Sequence, residues 1–329
     1  MTAIRRGMVL GKFMPPHLGH LYLTEFAQAH VDELTVVVGT LAREPIPGEL
    51  RHRWMRELLP GAHVVHLTDE LPQDPSEHPA FWDLWREALL RILPHRPDEV
   101  FASEPYGERL AAELGASFVP VDIARATVPV SGTAIRRDPM AHWSFLPRCV
   151  RPHFARRVSV FGPESTGKST LARRLADHYA TVCVPEYART YLEARHGQLS
   201  AVDLEPIARG QLASDTALSR NAHRLVVSDT DLLLTTVWGD TLYGGSTPWV
   251  ISHAATQRFD LTLLTDVDVP WVADPVRYLP DDRAPFFDRC EAALRRHGRP
   301  YLVLRGTWDE RFALACQAID ELLARPGTG

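Results

Sequence analysis

Two stretches of this chain carry residue types and spacings suited to phosphate chemistry. The first is His17-Leu18-Gly19-His20, two imidazoles around a glycine where an apolar run gives way to a helical pattern. Imidazoles at such a junction can offer a hydrogen bond, or a charge, to a phosphate already held by a helix N-terminus. Gly19 permits close backbone approach, and Lys12 within Gly11-Lys12-Phe13 brings a cation to the same spot. A distant companion, Ser131-Gly132-Thr133-Ala134-Ile135-Arg136, supplies hydroxyls, exposed amides and an arginine at another helix start, which together make a seat for a polyphosphate. Alone, that segment fits an ordinary serine cap equally well; together with the paired histidines, the phosphate reading is preferred.

The second stretch, Gly162-Pro163-Glu164-Ser165-Thr166-Gly167-Lys168-Ser169, satisfies the P-loop pattern residue for residue and follows a strand-like run. Backbone amides of Glu164, Ser165, Thr166, Gly167 and Lys168 would cradle phosphates, with Thr170 just beyond. Lys168 would reach the β and γ oxygens and Ser169 would ligate Mg²⁺ beside ATP. Glu186 and Asp229 each follow a strand-like run, so both carboxylates belong at the ligand edge of a sheet. One would accept a proton from an attacking hydroxyl while the other orders Mg²⁺. Glu186, with Arg189 beside it, is the preferred base and Asp229 the metal-side carboxylate, but residue types alone leave the assignment open. Asp229 and Asp231 could instead be helix caps, an alternative that is serious for Asp231. Farther on, Arg277 and Arg283 lie in a proline-rich charged segment of the kind that closes over a transferring phosphate, although a solvated loop also accounts for Arg283.

These groups need scaffolds. Strand-like runs at 8–10, 34–38, 63–67, 99–102 and 118–121 alternate with helical patterns at 21–29, 51–59, 81–93 and 107–114. Such alternation predicts a parallel sheet covered by helices. The second half repeats it, with strands expected at 157–161, 181–184, 225–229, 260–265 and 301–305. Between them, 146–154 holds two prolines and no clear period. We therefore expect an α/β chain of two domains, 1–150 and 156–329, both with parallel sheets, the first Rossmann-like around the paired histidines and the second built on the P-loop.

Composition narrows the partners. A formal net charge of -5 argues against broad nucleic-acid or membrane-surface binding, which calls for a basic face. No apolar run approaches the roughly 20 residues of a membrane span, and no leader-like segment opens the chain, so a cytoplasmic location is expected. The four cysteines lack metal-site spacing and read as free thiols. Of the fifteen histidines only His17 and His20 combine spacing with context; others, such as His63 and His66, read as surface or core residues. Small molecules are the expected partners, and a homo-oligomer is left open.

Residues 11–20 with 131–136 resemble the nucleotidyltransferase superfamily of nicotinamide-mononucleotide (NMN) and phosphopantetheine adenylyltransferases. That resemblance implies in-line attack of a substrate phosphate on the α-phosphate of ATP, with pyrophosphate leaving. His17 and His20 would stabilise the transferring group, while Lys12, Ser131, Thr133 and Arg136 hold the phosphates, with Gly11 and Phe13 in the same loop. Residues 161–170, 186–189, 229–236 and 270–283 resemble the ribosylnicotinamide kinase half of the NadR family, which follows an adenylyltransferase half in the same order. The likeness runs on through 81–85 and 103–107 and so covers nearly the whole chain. It implies phosphorylation of nicotinamide riboside to NMN and adenylylation of NMN to NAD. Some members carry an N-terminal helix-turn-helix repressor domain; this chain enters its first strand within a dozen residues, so no operator reading is expected.

A pyridinium ring asks for aromatic faces, and Trp82, Trp85, Tyr187 and Trp238 are available, with Arg189 and Asp231 as polar substrate contacts. Tryptophans at helical spacing also suit a core. A fused phosphopantetheine adenylyltransferase and dephospho-CoA kinase is the competing expectation, and a nucleotide-sensing regulator with one inactive domain is a third.

Overall fold

The runs Met8-Val9-Leu10 and Val36-Val37-Val38 lack a polar face, the pattern of strands covered on both sides. The computed structural model, which describes residues 4–272 and 282–325, bears this out: Met8, Val9 and all three valines are fully buried. The chain divides into two units between Val150 and Arg151.

In the first unit β1 (Arg6–Gly11), β2 (Glu33–Gly39), β3 (His63–Leu67), β4 (Glu99–Ala102) and β5 (Ser117–Pro120) form one sheet in the order β3-β2-β1-β4-β5. Every pairing is parallel. The chain winds outward from β1 to β3 and returns on the other side of β1 as β4, which opens a crevice beyond the carboxyl ends of β1 and β4. Alternate residues feed opposite faces. Val9, Val36 and Val38 pack on Leu23, Ala27 and Met55, while Met8, Val37 and Val100 pack on Leu89 and Leu110.

The second unit contains β6 (Arg156–Phe161), β7 (Val182–Val184), β8 (Leu225–Asp229), β9 (Leu261–Thr265) and β10 (Tyr301–Leu304) in the order β10-β9-β6-β8-β7, again all parallel. Val158 and Val160 face Leu171, Leu175 and Ile319. Phe161 and Leu264 face Leu233, Val237 and Phe286 on the other side. β6 therefore lies inside the sheet, and the loop leaving its end is framed by the ends of β8 and β9.

The expected strands are all present within a few residues of their bounds. The first helix begins earlier than its periodicity implied, running Leu18–His30. That shift makes His17 its N-cap, a role the apolar pattern of Leu21 onward could not reveal. A short helix, Arg151–Phe154, occupies the proline-bearing junction. No helix among the described residues is long and apolar enough to cross a membrane.

Candidate active sites

At the carboxyl edge of the first sheet a cavity of about 760 Å³ is lined by Gly11, Lys12, Phe13, His17, Gly19, His20, Trp82, Trp85, Ser131, Thr133 and Arg136. The groups expected at the first site thus meet in one place. His17 caps its helix: its Nδ1 accepts hydrogen bonds from the amides of Gly19 at 3.1 Å and His20 at 3.4 Å. An accepting Nδ1 puts the ring proton on Nε2. Burial, helped by the charge of Arg125, pushes His17 down to about 4. His20, which stacks on His17 with centroids 3.7 Å apart, is held well below its ordinary value by burial, by His17 and by Arg125. At neutral pH both rings are uncharged donors, not cations. His20 Nδ1 is buried with no hydrogen-bond partner, a group left for a ligand to satisfy.

Ser131 is both a helix cap and a cavity residue. Its hydroxyl accepts from the amide of Ala134 at 3.1 Å as the cap of Gly132–Arg137, and it lines the cavity. Arg136 donates to the carbonyl of Met14 and, at 3.1 Å, to Thr133 Oγ1. It thereby ties the 131–136 segment to the loop after β1. Trp85 donates its indole N–H to the carbonyl of Pro72 at 2.8 Å, which fixes its ring at the cavity wall.

Three contributors were missed from sequence. Arg51, fully buried, donates to the carbonyls of Lys12 at 2.6 Å and Ile46 at 3.0 Å and pairs with Glu44. Glu44 in turn meets Lys12 Nζ at 3.2 Å. Burial works against ionisation of Glu44, but the Leu41 amide and Arg51 outweigh it and hold the carboxyl below its ordinary value. Lys12 is therefore an ion-paired cation at the rim. Arg125, with φ of 51° and a 2.9 Å contact to Glu104, is the third, and it lines the same cavity. The available signal was an arginine in the otherwise apolar Arg51-Trp54-Met55 stripe.

In the second unit the P-loop takes its shape from glycines. Gly162 has φ of 133°, and a Cβ there would lie 2.7 Å from Thr265 Oγ1. Gly167 has φ of 82°, and a Cβ there would lie 2.3 Å from the Trp308 ring. Lys168 is buried and donates to the carbonyl of Pro163 at 2.8 Å. Arg311, also buried, donates to the carbonyls of Thr166, Gly306 and Asp266, each at 3.1 Å, and pairs with Asp268. It braces the loop from beneath and was not anticipated. Ser165 Oγ accepts from the Val272 amide at 2.7 Å. Glu164 is half-buried in the loop, and Thr170 is exposed on the helix that follows.

Glu186 leads into the helix Tyr187–Ala194 without using its carboxylate as a cap. Burial pushes Glu186 up to about 7; the charges of Lys168 and Arg189 oppose the rise and that of Asp229 adds to it. Asp229, at the end of β8, is likewise raised by burial, against a hydrogen bond from Ser169 and the charges of Lys168, Arg173 and Arg189. Lys168, Ser169, Glu186, Arg189 and Asp229 thus form one electrostatic unit. Asp229 Oδ1 is buried without a hydrogen-bond partner, so an oxygen beside the Ser169 hydroxyl is ready to take a hard cation.

Several residues stand differently from expectation. Asp231 is fully buried, and its Oδ1 caps the helix Leu232–Tyr243 through the amides of Leu233 at 2.8 Å and Leu234 at 3.2 Å. Its other oxygen lies 3.6 Å from Arg299, so it faces the core rather than a substrate. Trp238 packs on Phe286 with centroids 4.2 Å apart and belongs to the core. The Thr166 hydroxyl is turned inward onto Pro163 O at 2.8 Å and Thr265 Oγ1 at 2.6 Å, leaving its amide for phosphate. The Tyr187 ring fills the space above Gly210, where a Cβ would fall 2.0 Å away. Arg283 donates to Val269 O at 3.0 Å and lies 5.7 Å from the Trp271 centroid. Arg277 lies outside the described residues.

A parallel Rossmann-like sheet with paired histidines at the start of its first helix, followed by a parallel sheet with a P-loop and facing carboxylates, defines a nucleotidyltransferase domain joined to a small-molecule kinase domain. A model of the AAA domain family matches residues 157–311. The trifunctional NAD biosynthesis/regulator protein NadR of Escherichia coli strain K12 is 29% identical over 342 residues, spanning 96% of this chain and 83% of that protein. Nicotinamide-nucleotide adenylyltransferase of Aeropyrum pernix is 31% identical over 166 residues, 48% of this chain and 93% of that protein. The crystal structure of NadR protein in complex with NR superposes with a TM-score of 0.81 at 25% identity, covering 98% of this chain and 97% of that one. The chain is similar to NadR along nearly its whole length and, over about half of it, belongs with the nicotinamide-nucleotide adenylyltransferases.

Proposed function

We propose that the second domain transfers the γ-phosphoryl group of ATP to a hydroxyl of nicotinamide riboside, and that the first adenylylates the resulting NMN to NAD with release of pyrophosphate. One observation carries the reading: each sheet gathers its own phosphate-handling groups at its carboxyl edge, in a chain similar to NadR along 96% of its length. NadR has been solved with NR and, separately, with NAD and AMP-PNP.

In the first domain the NMN phosphate attacks the α-phosphorus of ATP in line and pyrophosphate departs. The uncharged His17, its tautomer set by the Gly19 and His20 amides, offers Nε2–H to the charge that builds on the transferring group. His20, stacked on it, offers a second ring nitrogen's hydrogen bond to the same group. Lys12, Ser131, Thr133 and Arg136 hold the leaving phosphates. Trp82 and Trp85 offer ring faces to the pyridinium.

In the second domain Glu186 receives the proton of the attacking hydroxyl, since a carboxylate raised to about 7 is matched to that task near neutral pH. Lys168 follows the β and γ oxygens, and Arg189 offsets charge on the acceptor side. Ser169 and Asp229 fit a magnesium ion, which when bound neutralises phosphate charge. Arg277 and Arg283 would complete the ATP site from the segment after β9. ATP as co-substrate and four free thiols support a cytoplasmic setting.

The deciding assay supplies nicotinamide riboside or NMN with ATP and Mg²⁺ and reads the appearance of NAD, against dephospho-CoA and phosphopantetheine as rival acceptors. We expect the nicotinamide pair to have the higher kcat/KM at both sites. Equal or better turnover of the pantetheine pair would move the assignment to coenzyme A synthesis.

A further inference from the structure

Outside the residues that line the first cavity, the helix Gly48–Leu58 and β3 bring Glu49, His52 and His66 together, with one possible ligand atom from each lying within 4.8 Å of the others. No other such trio of His, Cys, Asp or Glu occurs among the described residues. Glu49 and His52 stand three apart on the helix and so share a face. His66 is presented from the neighbouring strand.

The hydrogen bonds around the two rings decide what their nitrogens can do. His66 Nε2 lies 2.9 Å from Thr40 Oγ1, and that hydroxyl lies 3.4 Å from the carbonyl of Leu67. A hydroxyl that donates to Leu67 accepts from His66, which puts the proton on Nε2 and leaves Nδ1 with a lone pair. That Nδ1 lies 3.5 Å from Glu49 Oε1. His52 Nε2 lies 3.4 Å from the carbonyl of Val64, which can only accept, so His52 Nδ1 is the ring's basic nitrogen. Gly48 presses the helix onto this arrangement: a Cβ there would lie 2.7 Å from Thr40 Oγ1 and 3.0 Å from His66 Nε2. Two imidazoles anchored through their far nitrogens, with a carboxylate alongside, reproduce the way proteins orient histidine ligands to a metal.

We propose that Glu49, His52 and His66 bind a divalent transition-metal ion of the Zn²⁺, Co²⁺ or Ni²⁺ kind, with solvent completing its coordination. Two borderline imidazole nitrogens beside one harder carboxylate suit these ions better than Mg²⁺ or Ca²⁺, which favour oxygen ligands throughout. The competing description is an ion pair of protonated His66 with Glu49. The metal titration separates the two, since an ion pair alone takes up no Co²⁺. Glu49, 86% exposed at its side chain, and the half-exposed His52 have the freedom to close onto an ion at bond lengths of about 2.0–2.2 Å.

The test titrates the full-length, nucleotide-free chain at neutral pH with Co²⁺, followed by its visible absorption, and with Zn²⁺ in equilibrium dialysis. We expect one ion per chain at micromolar affinity, weakened about tenfold or more in both Glu49→Gln and His52→Gln. Both positions are accessible, and unchanged melting of the metal-free variants verifies that they fold. Millimolar binding only, or unchanged affinity in both variants, overturns the proposal. Either result leaves the adenylyl-transfer reading untouched, because the residues tested carry no part of it.

Discussion

His17 and His20 are the residues at which charge state matters most. Both are neutral in the folded protein, so the contribution proposed for them is a directed hydrogen bond in place of a mobile charge. Removing such a donor from a transition state costs on the order of a hundredfold in turnover. His20→Ala should therefore lower kcat for NAD formation by about that factor while KM for NMN and ATP changes far less; a rise confined to KM would make its role uniform binding. As the proposed base, Glu186 would set the pH dependence of the kinase. Its folded value is raised to about 7 and a base must be deprotonated, so kcat/KM for the riboside should climb as pH rises through about 7 and then level off. Glu186→Gln should cost about two to four orders of magnitude in kcat. If Asp229 is the base instead, Glu186→Gln retains the acid limb and most of the activity.

At the scale of elements, the P-loop depends on a backbone that side chains would obstruct. Gly167 sits at φ of 82° with Trp308 against it, so Gly167→Ala combines positive-φ strain with a collision against a ring. Together they should displace the amides of the first turn and reduce riboside phosphorylation by about tenfold or more, since strain of this kind costs roughly 1–3 kcal/mol. Adenylyl transfer in the same preparation should be unaffected, and measuring both activities separates a local effect from global unfolding. Arg311 performs the corresponding task below the loop, as Arg51 does for the Lys12 loop in the first unit. In each case a buried guanidinium satisfies loop carbonyls that no strand can reach.

For the whole molecule, each unit owns its sheet, its core and its own candidate phosphate site. We therefore expect separable activities: Lys168→Ala should abolish conversion of nicotinamide riboside to NMN and leave conversion of NMN to NAD largely intact. Loss of both in a folded variant would contradict two independent sites. What the sequence determined by itself is whatever is contiguous. The strand runs, the P-loop and the His17–His20 tetrad are local patterns, because backbone shape within a loop depends on near neighbours and on where glycine stands. What only tertiary structure decided is how distant residues meet. Parallel pairing of β7 with β8 sets Glu186 against Asp229, and burial there gives one carboxylate a pKa that no residue type encodes. The same packing turned Asp231 and Trp238 into the core, since a residue two positions past a strand end can cap the next helix as readily as it can face a ligand. Arg51, Arg125 and Arg311 entered the sites the same way: charge and burial act through space, and the sequence orders residues only along the chain.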